Sequence, residues 1–437
     1  MQRIRTVGQL GVAALAAAML VACGSSDNNG SSGNNGGGSS TALEGRGPIT
    51  FATGKDTSGN LQNQVDTWNS QHPNEKATVI ELPESADQQR QQMVQNAQTK
   101  SDAYSVLNLD VVWTAEFAAN RWVVELPKDQ FDLTKFLGPT VDSGSYRDKL
   151  YAAPSTSDGG LLYYRKDLLD KAGVTAPPTT WSELQAACDK VLKLPEAKGA
   201  GCYAGQFDKY EGLTVNFSEA INGAGGVVVG DDGKPNVNTD QAKTGLNNLV
   251  QGFKSGLIPK AAITYKEEDA RRAFESGKLI FERQWPYAYA LGNKTDGTSK
   301  VAGKFAVAPL PGASGPGVSS LGGHNLAISA YAKNKASALD FIKYLTGEAA
   351  QKANLLATSQ APTLTSLYDD AELAKKFPYL PILKQSILSA KPRPKAVRYN
   401  DVTTAIEEDA YAALNGTKSV DDALSDLQTK LSQIIGS

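Results

Sequence analysis

The chain has 437 residues, with 44 Lys and Arg against 46 Asp and Glu and a formal net charge of −2. This near balance, without a basic run or a basic amphipathic stretch, argues against nucleic acid as a partner and against a surface helix that binds membrane. Two histidines (His72 and His324) and three cysteines give poor support to a His/Cys metal site or a Ser-His-Asp triad, and no GxxxxGK[ST] loop is present. No metal or cofactor is expected.

Residues 1–22 read as an export signal: Arg3 and Arg5 precede an Ala-rich apolar run of about 16 residues, short of the roughly 20 that span a bilayer. The run ends Leu20-Val21-Ala22-Cys23, a lipobox pattern, and the alternative is an ordinary secretory signal with an incidental cysteine. Cleavage before Cys23 would leave 42 basic against 46 acidic residues, a net charge of −4, because 44 − 2 = 42 once Arg3 and Arg5 go. Residues 23–46 then read as a lipid-anchored linker, whose Gly/Ser/Asn tract of about 18 residues spans roughly 23 Å as a coil. About 390 residues remain, long for one hydrophobic core, so two lobes are expected.

Strands are expected over 48–52, 77–82 and 104–110, with helices over 61–71 and 86–98 between them. This alternation predicts βαβ units and a parallel sheet, whose ligands bind beyond the carboxyl ends of strands. Further on, 161–164 reads as a strand, and 181–193, 210–222, 241–253 and 268–276 read as helices. Short strands follow at 279–282, 305–308 and 325–328, then helices at 335–345, 348–355, 379–389, 401–414 and 420–435. Pro309, Pro311 and the Gly-rich stretch 312–323 mark a long loop. Cys188 and Cys202 are about 14 residues apart, and in an exported domain they are expected to form a disulfide contributing about 3 kcal/mol; two buried thiols are the alternative.

Several phrases, in order, resemble the extracellular solute-binding proteins of sugar-importing ATP-binding-cassette transporters: LYAAP at 150–154, LYYRKDL at 162–168, AFESGK at 273–278, and the helix 336–345 followed by Thr346-Gly347-Glu348. A narrower resemblance is to actinobacterial trehalose-binding lipoproteins and trehalose/maltose-binding relatives. It rests on LDVVWTAEF at 109–117, YEGL at 210–213, the Trp285-Pro286-Tyr287 turn, GGHNL at 322–326 and KPRP at 391–394. The resemblance implies an α/β fold of two lobes joined by a hinge, with a sugar in the cleft. Lobe 1 is expected over 47–155 and 305–355, and lobe 2 over 156–304 and 356–437. Implied partners are a disaccharide, the permease subunits with their cytoplasmic ATPase, and the membrane through the lipid; a monomer is expected.

A disaccharide presents hydroxyls at its edges and C–H groups on its faces, so its site needs carboxylates, amides or Arg together with aromatic rings. Asp110, at a strand end, is a candidate acceptor, or else the cap of the turn before Trp113. By resemblance Trp285 stacks on the sugar and Tyr287 forms a second wall, the alternative for Trp285 being a core anchor. Glu267 is the implied contact, with Glu268 its competitor, and Arg393 an implied donor. Asp158 stands where trehalose binders carry Asn, so the hydroxyl it meets must donate. Gly322 and Gly323 bring backbone close to ligand or simply turn; Glu84, Gln88, Gln89 and His324 are further candidates. The resulting expectation is a non-enzymatic binding protein for an α-linked glucose disaccharide, trehalose before maltose-type sugars. Another oligosaccharide or a polyol is the alternative ligand, and a glycosidase using Asp110 and Glu267 the remote one.

Overall fold

The computed structural model describes residues 43–56 and 59–435. The expected signal, Cys23 and most of the linker lie outside the described residues. Among the described residues there are eleven strands: β1 (Ile49–Thr53), β2 (Ala77–Glu81), β3 (Val106–Asp110), β4 (Ser145–Tyr146), β5 (Lys149–Leu150), β6 (Ala152–Gly159), β7 (Leu161–Tyr164), β8 (Gly201–Ala204), β9 (Leu279–Gln284), β10 (Ala306–Ala308) and β11 (Leu321–Ile328). They form a five-stranded sheet in the order β2-β1-β3-β11-β6, a four-stranded sheet in the order β10-β7-β9-β8, and the small β4-β5 hairpin. Each larger sheet carries its own helices, giving a two-lobed α/β protein.

In the first lobe β1 pairs parallel with β2 and β3, as the βαβ pattern predicts. β11 then runs antiparallel to both β3 and β6, so the sheet is mixed. Strand side chains alternate between faces, and both faces are covered. Ile49, Phe51, Leu326 and Ile328 pack with Trp68, Phe341 and Ile342 on one side. Ala52, Leu107, Leu109 and Ala327 pack with Met93 and Phe117 on the other.

The second sheet is also mixed, β8 parallel and β7 antiparallel to β9. Ala306–Ala308 pairs antiparallel with β7, so residues 305–308 stand with the second sheet and not with the first as expected. β6, conversely, carries residues 156–159 into the first sheet, past the expected boundary at 155. Leu383, Ile387, Val402, Ile406, Leu424 and Leu427 of the C-terminal helices join the second core.

Local chemistry accounts for the element ends. The helix Trp181–Val191 opens on a capping box: the Thr180 hydroxyl accepts from the Glu183 amide at 3.1 Å while the Glu183 carboxylate accepts from the Thr180 amide at 3.2 Å. The disulfide Cys188–Cys202 ties that helix to β8, with Cα atoms 5.8 Å apart, inside the usual range.

Two chain crossings run side by side where the sheets meet. β6 passes into β7 through Gly160, and the chain returns from β10 to β11 through Ser319 and Ser320. The Gly160 amide donates to Ser319 Oγ at 2.6 Å, and Ser320 bridges to Lys391 of the C-terminal segment.

Candidate functional site

The cleft side of the first sheet is built from the ends of β3, β6 and β11. Asp110 closes β3, opposite His324 of β11, and Gly322 pairs with Asp158 of β6. Gly323 has φ +108°, and a Cβ there would come within 2.2 Å of the Thr156 carbonyl oxygen, so only glycine fits. A Cβ on Gly322 would lie 2.8 Å from the ring of Trp285. The glycine therefore lets the aromatic ring of the second lobe close onto the first.

The second lobe contributes the helix Glu211–Gly223, the start of the helix Glu267–Glu275, and the turn after β9. The Tyr163 hydroxyl fixes that turn by donating to the Trp285 carbonyl at 2.9 Å. Tyr287 donates to Glu268 at 2.7 Å, and Glu268 is also paired with Arg271. Glu267 accepts from the Tyr210 hydroxyl at 2.5 Å; burial raises its pKa, and the Tyr210 bond pulls the other way.

Arg393, 2% exposed, joins the lobes. It donates to Asp110 Oδ1 at 2.7 Å and pairs with Glu211 Oε1, and its buried Nε has no hydrogen-bond partner among the described residues. Asp110 Oδ1 also accepts from the Val112 amide at 3.1 Å, so the carboxylate both caps its turn and meets the arginine. Burial opposes the charge on Arg393, but Asp110, Tyr399 and Glu211 outweigh it and keep the guanidinium protonated. Burial pushes Glu211 up to about 7, against the pull of Arg393; it accepts from the Tyr399 hydroxyl at 2.6 Å and from Thr403 at 2.7 Å. Asp87 and Glu407 lie beside it, with the carboxylate oxygens of the three within 4.8 Å of one another. The Thr403 hydroxyl bridges Glu211 and Glu407, so this acidic knot is held by hydroxyls and a guanidinium.

Burial likewise pushes Asp158 up to about 7, with Arg283 opposing and Asp110 adding to the rise. It depresses the pKa of His324, which is held neutral.

A cavity of about 480 Å³ opens between these elements. Asp110, Asp158, Glu267, Trp285, Tyr287, Gly322, Gly323 and Arg393 all line it, as do Glu84, Gln88, Gln89 and His324. Trp285 is partly exposed on its wall, not sealed in a core. Glu268 lines the cavity too, next to Glu267.

Sequence reasoning passed over Glu211, Tyr210, Lys266, Lys55, Thr156 and Gln360, which also line it. Tyr210 and Glu211 sit in the YEGL phrase and Lys266 adjoins Glu267, so a signal was present for these; Thr156 and Gln360 carry none. The arrangement offers rings for apolar faces and ionic or amide groups for edges, the composition a polyhydroxylated ligand requires.

A family model described as bacterial extracellular solute-binding protein matches residues 53–352. A probable ABC transporter-binding protein of Deinococcus radiodurans is 34% identical over 380 residues, covering 85% of this chain and 89% of the relative. A mannitol-binding protein of Pseudomonas aeruginosa is 25% identical, covering 84% and 88%. Among solved structures, maltose-bound T. maritima MalE3 superposes with a TM-score of 0.84 at 33% identity, covering 88% of this chain and 99% of that one. The fold, the interlobe cavity and these likenesses converge: the chain belongs to the bacterial extracellular solute-binding protein family.

Proposed function

We propose that this chain captures an α-linked glucose disaccharide, trehalose first and maltose-type sugars second, and delivers it to the permease of an ATP-binding-cassette importer. In this reading it is exported and held at the outer face of the membrane by lipid on Cys23.

The observation that carries the reading is the meeting, in one interlobe cavity, of the Trp285 and Tyr287 rings with Asp110, Glu267 and Arg393. A pyranose ring lies over Trp285. Asp110 accepts from its hydroxyls through Oδ2, since Oδ1 already serves Arg393 and Val112. Because the site draws groups from both lobes, ligand binds the closed arrangement better and shifts the open–closed equilibrium towards it.

The maltose-bound structural relative supports the sugar class, and the mannitol-binding relative keeps a polyol as a second reading. The relatives are solute-binding proteins, not enzymes, which supports release of the ligand unchanged. Calorimetry against trehalose, maltose and mannitol decides. Reversible binding of trehalose or maltose without liberated glucose is expected. Tight binding of mannitol with neither disaccharide bound would replace the sugar by a polyol, and release of reducing ends would bring back the glycosidase.

A further inference from the structure

We propose that Arg283 is a positioning residue for ligand recognition, holding the rear face of Trp285 so that the opposite face is presented to the cleft. This inference rests on the reading of Trp285 as the ligand platform.

Arg283 and Trp285 are two residues apart at the end of β9, so their side chains leave the strand on the same side. Glu282 and Gln284 occupy the other side, where the Gln284 amide donates to Glu282 at 3.1 Å. The Arg283 guanidinium carbon lies 3.7 Å from the centroid of the Trp285 ring. Arg283 is 1% exposed whereas Trp285 is partly exposed, so the cation sits on the protein side of the ring. A planar guanidinium can lie flat on an indole and still donate in its own plane, which an ammonium cannot do.

Each guanidinium nitrogen makes a hydrogen bond in that plane. Arg283 Nε and Nη2 meet the two oxygens of Glu219 at 2.7 and 2.6 Å, and Nη1 meets Gln206 Oε1 at 3.2 Å. Glu219 Oε1 also accepts from the Ser320 amide at 3.1 Å and from the Ser319 hydroxyl at 3.3 Å. Gly160, on the other crossing, passes so close that a Cβ there would meet Glu219 Oε1 at 2.7 Å and Arg283 Nη2 at 2.9 Å. The ring's rear support is thus anchored to both crossings between the sheets. A ring fixed before ligand arrives loses less rotamer freedom on binding, and this raises affinity.

Removing Arg283 alone strands a buried Glu219 carboxylate, so the test uses the paired variant Arg283→Met with Glu219→Gln, and separately Arg283→Lys. Each is made with Trp285 present and with Trp285→Ala, and calorimetry with trehalose and maltose reads the affinity. The paired variant is expected to weaken binding about tenfold when Trp285 is present and by less than about twofold in the Trp285→Ala background, the coupling that a double-mutant cycle isolates. Arg283→Lys, which keeps the charge against Glu219, is expected to show a smaller loss with the same dependence on Trp285, and it carries the test if the paired variant does not fold. Equal losses in both backgrounds, or no loss in either, would overturn the positioning role while leaving the platform intact. Unchanged affinity in Trp285→Ala alone would overturn the platform reading and this inference with it.

Discussion

Asp158, a partly exposed carboxyl on the cavity wall, is expected to tie affinity to pH. Burial lifts its pKa from 3.8 to about 7, so the ligand-free protein carries it partly protonated near neutrality. A sugar hydroxyl that donates to it favours the ionised form, so affinity is expected to rise between about pH 5 and pH 8, with a proton released on binding. Glu211 and Glu407, also lifted to about 7, titrate in the same range, so Asp158→Asn is the control. Calorimetry across that range should give a flatter profile for the Asn variant; an unchanged slope would assign the dependence elsewhere. Stability follows the opposite sign. The native state binds the extra proton between about pH 4 and pH 7, so this group's contribution is present below that window and is lost as pH rises through it. Asp158→Asn should therefore raise the melting temperature more at pH 8 than at pH 5 (both values approximate). At this scale the resemblance singled out Asp110, Trp285 and Arg393 because each sits in a recognisable phrase. Glu211 also sits in such a phrase, but its partner Arg393 lies 182 residues further on, and the phrase alone does not announce that contact.

Among the elements, the stretch from β1 to β3 was legible because strands and amphipathic helices alternate there with clear turn residues. The β4-β5 hairpin was not. Its turn places Arg147 and Asp148 at φ +48° and +62°, without the Asn-Gly or Asp-Gly signal that ordinarily marks such a turn. β10 was read as a strand, but its sheet was not, because three apolar residues carry no information about which edge they join. The disulfide was legible from the export context and the cysteine count. Replacing both Cys188 and Cys202 by Ser should lower unfolding stability by about 2–5 kcal/mol, since the helix Trp181–Val191 then loses its covalent tie to β8. Denaturant titration measures this; a change below about 0.5 kcal/mol would mean that the burial of this helix suffices without the bond.

For the whole molecule, the two lobes follow from the length of the chain and from the family phrases, whereas the exact crossings do not. Gly160, Ser319 and Ser320 are small residues in unremarkable sequence. Only the folded chain puts them beside the Arg283–Glu219 pair. Several groups at this junction have partners on both sides: Arg393 meets Asp110 of the first lobe and Glu211 of the second, and Arg90 donates to Asn400 at 3.0 Å. The cavity thus draws its ionic and hydrogen-bonding groups from both lobes.

A crystal structure of the protein with trehalose tests this account most directly. The sugar should lie between the sheets, one ring face against Trp285, with hydroxyls within hydrogen-bond distance of Asp110, Glu267 and Arg393. Trehalose bound outside the interlobe cavity, or inside it with Trp285 turned away and no hydrogen bond to Arg393, would contradict it.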